Sequence, residues 1–245
     1  MGELAGKVAL VTGGSRGRGA AIAQRLARDG AAVAFTYVTA ADKAQAIAQQ
    51  IEADGGQAQV IQADNADPGA VVAAVEQTVQ SLGRLDILVN NAGVFIGGPV
   101  EDATVDQADR LWAVDVRAVF VASQAAARHM SAGGRIITIG SALADRVPAP
   151  GMTLYAMAKS ALTGLTKGLA RDLGPRGITV ALVHGGLIDT DMNPADSPAS
   201  VLSSIPALGR YGGTEDIAAV VTYLAGDGGR YVTGAAVSVD GGFAA

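Results

Sequence analysis

Tyr155 and Lys159 stand four residues apart, close enough to share one face if that segment is helical. A phenol beside an ammonium has its anion stabilised. Such a phenol can give a proton to the alkoxide formed when hydride adds to a carbonyl, or take one back in the reverse reaction. Ser141 closes an apolar, β-branched run, where its hydroxyl could hold the same substrate oxygen as negative charge develops. A Tyr and a Lys at this spacing are common on helices, so alone the set defines no enzyme.

Hydride chemistry needs a carrier, and a second constellation offers a place for one. Thr12-Gly13-Gly14-Ser15-Arg16-Gly17-Arg18-Gly19 lies between a β-branched run and an Ala-rich run. Gly13 and Gly17 permit a tight turn, and Gly19 lets a pyrophosphate or backbone approach the helix start. The first helical turn presents free N–H groups to an anion. The strand–turn–helix context is what gives such a glycine string meaning. The second β-branched run ends in Phe35-Thr36-Tyr37-Val38-Thr39, with no acidic residue to hold a ribose 2′-hydroxyl. Ser15 and Arg16 stand in the phosphate turn, where a guanidinium can pair with a 2′-phosphate. This pattern favours NADP(H) over NAD, with Arg18, Tyr37 and Thr39 counted on the cofactor side. Asp64-Asn65 ends a third such run and could meet the adenine edge. Asn90-Asn91-Ala92-Gly93 ends a fourth, placing Asn91, Ala92 and Gly93 where ligands bind in open α/β sheets.

The elements that must position these residues alternate along the chain. Strands are expected at Val8–Thr12, Ala32–Tyr37, Ala58–Asp64, Leu85–Asn91, Arg135–Ser141 and Ile178–Val183. Helices are expected at Ala20–Asp29, Ala41–Asp54, Val71–Leu82 (with Pro68 at its start), Val105–Met130, Tyr155–Leu173 and Asp216–Leu224. Strands apolar on both faces belong to a parallel sheet covered on both sides. The expectation is therefore a single-domain α/β protein over residues 1–245, a Rossmann-type doubly wound parallel sheet with helices on both faces. The one long irregular stretch, Leu187 to Gly213, reads as a substrate lid.

Bulk composition excludes several classes. A net charge of −5 and a pI near 5.0 give no basic field to attract nucleic acid or an anionic membrane. Mean hydropathy is +0.31, yet no apolar run reaches the ~18 residues needed to span a bilayer. Gly6 stands where N-myristoylation wants Ser or Thr, and a cytoplasmic location is expected. Zero cysteines exclude disulfide and thiolate chemistry, and with only two histidines a catalytic metal lacks obvious ligands. His129 reads as a residue near a helix C-terminus, and His184 as a strand-end residue.

These residues together resemble the short-chain dehydrogenase/reductase family, in particular bacterial carbonyl reductases similar to 3-oxoacyl-carrier-protein reductases. The likeness runs through Thr12-Gly13, Gly17, Gly19, Asp64, Asn90-Asn91-Ala92-Gly93, Ser141, Tyr155, Lys159, Thr190 and the closing Val239-Asp240-Gly241-Gly242. It implies Tyr155 as proton donor, Lys159 on the nicotinamide ribose, and Ser141 orienting the carbonyl. It further implies that the Ile188 backbone and Thr190 hold the nicotinamide carboxamide, with Gly186 also counted on the cofactor side, and that the protein is a homotetramer built on the Val105–Met130 and Tyr155–Leu173 helices and the C-terminal segment.

Three positions depart from the family pattern. Asp115 stands where an asparagine is usual, near a water that links the lysine to solvent. An inward-pointing Asp115 would favour the protonated form of Lys159, and activity is still expected. Gly185 stands where proline is common, and Ala181 replaces an asparagine. The substrate pocket is expected to include Leu143, Gly185, Leu187 and Met192, small or aliphatic and without a fixed cation. A small, largely apolar ketone or 3-oxo compound fits such a pocket. An enzyme running mainly as an alcohol dehydrogenase, or a catalytically weak nucleotide-binding regulatory module, would use the same residues differently.

Overall fold

The computed structural model describes residues 2–196 and 205–245. Seven strands, β1 (Val8–Val11), β2 (Ala32–Tyr37), β3 (Gln57–Gln62), β4 (Ile87–Asn90), β5 (Arg135–Ser141), β6 (Thr179–Gly185) and β7 (Ala235–Val239), form one sheet. Their order is β3-β2-β1-β4-β5-β6-β7, parallel throughout. The helices are α1 (Gly17–Arg28), α2 (Ala41–Ala53), α3 (Pro68–Leu82), α4 (Val105–Trp112), α5 (Ala118–His129), α6 (Thr153–Leu173) and α7 (Thr214–Ala225).

Side chains alternate across a strand, and here each side meets its own core. Ala9, Val11, Val33, Phe35, Val89 and Ile137 pack with Ile22 and Leu26 of α1 and Ile217 and Val221 of α7. Leu10, Ala34, Leu88, Ile136 and Val180 pack on the other side with Val75 of α3, Ala122 of α5 and Leu173 of α6. Burying both faces is why β1, β4 and β5 are buried along their whole length and carry apolar residues on both faces, Val8–Val11, Ile87–Val89 and Ile136–Ile137 among them. Each fully buried Leu or Ile contributes roughly 1.5–3 kcal/mol.

Strand order reverses between β1 and β4, which opens a crevice at their carboxyl ends. At the opposite end Asp86 ties the sheet together: its Oδ2 accepts the Val8 N–H at 2.9 Å and Arg84 Nε at 2.8 Å. Arg135 is buried at that same end, its guanidinium donating to the Gly133 and Gly134 carbonyls. It is therefore not at hand to dock a substrate.

Several boundaries differ from those the sequence suggests, and some of the differences lie at the crevice. Helix α1 starts at Gly17, inside the glycine turn, and α6 starts at Thr153, which puts Tyr155 in its first turn. Strand β6 continues to Gly185, so His184 and Gly185 lie within the sheet. Strand β7 was not anticipated: its half-exposed alternation over a few residues is a weak edge signal. The helix expected over Val105–Met130 is interrupted by a π-helical turn, Ala113–Arg117, in which the Ala118 N–H reaches back to the Ala113 carbonyl. The extra residue of a π turn rotates the side chains that follow. Of the segment read as a lid, residues 197–204 lie outside the described residues. Its two ends are zipped by Gly212 N–H to Leu187 O and Asp189 N–H to Gly212 O, both at 2.9 Å.

Candidate active site

The glycine turn is built by close approaches that exclude any side chain. A Cβ on Gly19 would lie 2.1 Å from the Gly13 carbonyl oxygen, and one on Gly13 would lie 3.0 Å from Ala92 Cα. Gly13 (φ 68°) and Gly17 (φ 52°) occupy the left-handed region. Asn91 Nδ2 donates to the Thr12 and Gly13 carbonyls at 2.9 and 3.0 Å. Thr12 Oγ1 accepts the Asn91 and Ala92 N–H groups. Thr36 Oγ1 accepts the Gly13 N–H at 2.9 Å. Thr36 was not singled out from the sequence, since a threonine in a strand looks like any other. These bonds fix the turn against β2 and β4 and leave the first N–H groups of α1 facing the crevice, the arrangement an anion needs.

Around this cradle the predicted cofactor residues fall into two groups. Gly17 meets Thr190, whose Cγ2 would stand 3.5 Å from a Cβ at that glycine, and Gly186 abuts Asp240. Ile188 is buried and bridges to Gly212. Ser15 is half-buried in the turn, and Arg16 and Thr39 are exposed. Tyr37 packs against the α1/α7 core. Asn65 is buried, while Asp64 sits 3.8 Å from Arg110 Nη1 and accepts the Ala66 N–H.

The catalytic candidates meet through the π turn. Asp115 points inward: its Oδ1 accepts the Val94 N–H at 2.9 Å, and its Oδ2 lies 2.8 Å from Lys159 Nζ. Both groups are buried. Gly93 packs on the pair, since a Cβ there would lie 3.1 Å from Asp115 Oδ2 and 3.4 Å from Lys159 Nζ. Burial alone would lower the Lys159 pKa; attraction to Tyr155 and Asp115, with the Asp115 hydrogen bond, outweighs it and raises it. The Lys159 ammonium lies 5.4 Å from the Tyr155 ring centroid, and the Phe95 ring is tilted by 60° to the Tyr155 ring with centroids 5.1 Å apart.

Ser141 is held through its backbone by His184, a residue within β6 and not only at a strand end. His184 is fully buried on β6, and its Nδ1 accepts the Ser141 N–H at 3.2 Å. Gly140 makes the room: a Cβ there would lie 2.6 Å from that nitrogen. Accepting at Nδ1 places the ring proton on Nε2, which faces Asp145 Oδ2 at 3.9 Å. Burial keeps the His184 pKa below the ordinary range; Asp145 opposes this and the Lys159 charge adds to it. Ser141 Oγ accepts the Leu143 N–H at 3.2 Å. His129 also has a partner, Glu76 Oε1 at 2.9 Å.

The predicted substrate pocket is only partly gathered. One cavity of about 230 Å³ lies between the Ile96–Ala103 stretch and Gly151–Leu154. A second, of about 540 Å³, is lined by Leu187, Leu208, Arg210 and Asp240 among others. Leu143, Gly185 and Met192 line neither, and Met192 is half exposed. The Arg18 guanidinium reaches Gly185, its Nη1 3.2 Å from where a Cβ would stand.

Residues 13–244 match the family model described as enoyl-(acyl carrier protein) reductase. Among curated proteins the chain is 46% identical, over the full length of both, to a cyclic-di-GMP-binding biofilm dispersal mediator protein of Escherichia coli. It is 43% identical, over 98% of each chain, to the 3-oxoacyl-[acyl-carrier-protein] reductase FabG of Pseudomonas aeruginosa. The chain belongs to the short-chain dehydrogenase/reductase family. A short-chain dehydrogenase of Burkholderia cenocepacia, solved in complex with NADP, shares 57% identity and a TM-score of 0.98 over 99% of this chain and 100% of that one. The doubly wound fold read from the strand and helix pattern is thus that of the family.

Proposed function

We propose that this protein is an NADPH-dependent carbonyl reductase, transferring hydride to a small, largely apolar ketone or 3-oxo compound to give an alcohol. The observation that carries the reading is the buried Lys159–Asp115 pair set against Tyr155, at the edge of a crevice whose other wall is the glycine cradle. NADP(H) is the cofactor, as in the Burkholderia relative. The cradle fits a dinucleotide: Gly13 and Gly17 hold left-handed backbone, Gly13 and Gly19 let the turn close on Ala92 and Asn91, and no side chain of the N-cap residue Arg16 caps the first N–H groups of α1. Gly13, Ser15, Arg16, Gly17 and Gly19 would hold its phosphates, with Tyr37, Thr39, Asp64 and Asn65 toward the adenosine half and Arg18 reaching from the turn toward the nicotinamide end. Asn91, Ala92, Gly93, Gly186, Ile188 and Thr190 would take the nicotinamide half. When bound, NADPH supplies the hydride.

The chain's own groups supply the rest. Ser141, set by His184, hydrogen-bonds the carbonyl oxygen, and Tyr155 gives that oxygen a proton. Lys159 keeps a positive charge beside the phenol, so negative charge left on Tyr155 is stabilised. Asp115 keeps Lys159 charged and in place, and the same groups run backwards on an alcohol. Trp112 and Phe120, each nearly half exposed on α4 and α5, support the expected homotetramer.

The test is loss of NADPH absorbance with a panel of aryl, aliphatic and β-keto ester ketones, repeated on Tyr155→Phe. Turnover that falls by about 10²–10⁴ in the variant, with NADPH binding retained, supports the reading. The relative named for cyclic-di-GMP binding favours a second reading, a nucleotide-binding regulatory module. Tight NADPH binding with no turnover of any ketone would favour it.

A further inference from the structure

Arg18 is the second residue of α1, yet its side chain is half buried and directed across the crevice to the end of β6. A Cβ on Gly185 would stand 3.2 Å from Arg18 Nη1, 3.4 Å from Ile217 Cδ1 and 3.8 Å from Ile188 Cγ1. The guanidinium therefore fills the room that a side chain at position 185 would need. Its surroundings on that side are apolar. None of the ion pairs among the described residues involves Arg18. Lys159, by contrast, is matched by Asp115 at 2.8 Å.

Gly185 pairs in register with Ser141 on the neighbouring strand, and neighbouring strands lie ~4.8 Å apart. A substrate oxygen held by Ser141 and Tyr155 fixes where the adjacent carbon must be, and the hydride-bearing ring must reach that carbon. With its phosphates in the glycine turn, a dinucleotide can bring its ring there only over the carboxyl ends of β5 and β6. Arg18 stands at that end. The oxidised nicotinamide ring carries a positive charge and the reduced ring carries none, so a nearby cation acts on one state and not the other.

We infer that Arg18 selects the redox state of the cofactor, disfavouring bound NADP⁺ relative to NADPH, so that NADPH loads in preference and the oxidised form leaves readily. This rests on the dinucleotide reading above. Gly185 is the companion change: a Cβ there would stand 3.2 Å from Arg18 Nη1, so the guanidinium would have to shift by a few tenths of an ångström, and a larger side chain would displace it further.

The experiment is equilibrium binding without substrate. Kd for NADPH is measured from its fluorescence, and Kd for NADP⁺ by competition, for the parent protein, Arg18→Met and Arg18→Lys. The ratio Kd(NADP⁺)/Kd(NADPH) is expected to fall at least tenfold in Arg18→Met and to fall less in Arg18→Lys. Tenfold in that ratio is about 30 mV in the two-electron potential of the bound cofactor. Should Arg18→Met fail to fold, as read by its melting curve, Arg18→Gln carries the same comparison. If both Kd values rise by a common factor, Arg18 is only a phosphate ligand and the inference is overturned. An unchanged ratio overturns it equally. A parent protein that binds neither form sinks the dinucleotide reading instead.

Discussion

Asp115→Asn separates the electrostatic role of Asp115 from its shape, because asparagine keeps the size and a hydrogen-bonding oxygen while removing the charge. The parent pair is buried, with side-chain exposures of 4% for Lys159 and 0% for Asp115, and its atoms are 2.8 Å apart. Removing one member of a buried pair leaves an uncompensated charge and typically costs ~3–5 kcal/mol. Asparagine can still accept the Val94 N–H or face the ammonium, so the lower end, about 3 kcal/mol, is expected. For a domain of this size each kcal/mol moves Tm by roughly 2–4 °C, which gives a fall of about 6–12 °C at neutral pH. The double variant Asp115→Asn with Lys159→Met removes both charges and should melt above Asp115→Asn alone, although it is inactive. The pH dependence has a definite sign. Lys159 has a pKa raised above its ordinary 10.5, so its contribution is complete below that value and lost as pH rises through the folded one. The melting gap between parent and Asp115→Asn should therefore hold constant from neutrality through moderately alkaline pH and narrow only above the lysine range. In the pH–rate profile, loss of the anion should draw the alkaline limb to lower pH. Thermal melts across pH on the four corners of this cycle are the assay. A single variant that loses less than ~1 kcal/mol, or a double variant whose loss is the sum of its singles, refutes the coupling.

His184→Ala should orphan the Ser141 N–H at a cost of about 1–3 kcal/mol and lower kcat more than it alters the Kd for NADPH; His184→Asn, which restores an acceptor, should recover part of kcat. Because burial lowers the His184 pKa, the unfolded chain takes up a proton first as pH falls. The parent should then lose stability as pH falls through about 6.5, the ordinary histidine value, toward the folded one; melts that show no flattening in His184→Asn would contradict this. Gly19→Ala places a Cβ 2.1 Å from the Gly13 oxygen and should abolish measurable NADPH binding, as read by fluorescence titration. Asp86→Ala breaks the bonds to Val8 and Arg84 at the opposite end of the sheet. It should cost about 1–3 kcal/mol by denaturant melt and leave kcat near the parent value.

Much of the fold and part of the site could be read from residue order alone. Hydrophobic runs of β-branched residues alternating with Ala-rich helices specify a doubly wound parallel sheet, because strands covered on both faces must be apolar on both faces. The glycine turn was legible because its residues are local: Gly13, Gly17 and Gly19 act within one strand–turn–helix unit. Helix spacing likewise puts Tyr155 near Lys159 without knowledge of the rest. Even there, the start of α6 two residues before Tyr155 escaped the pattern, since nothing in composition marks the first turn.

What sequence could not supply depends on contacts between distant segments. The π turn at Ala113–Arg117 inserts one residue into the helix, a shift that helical periodicity does not anticipate, and it is this turn that carries Asp115 inward to Lys159. His184 looks like a strand end until β6 is laid beside β5 and Gly140 opens room for its ring. The charge at Gly185 comes from a residue on α1, brought across by the return of the chain to the other side of β1. Periodicity and turn chemistry are properties of neighbours along the chain, and they determined the scaffold and the list of reactive groups. Which charge meets which, and which donor is left to a ligand, depends on distances set only when the strands are ordered and the helices packed upon them.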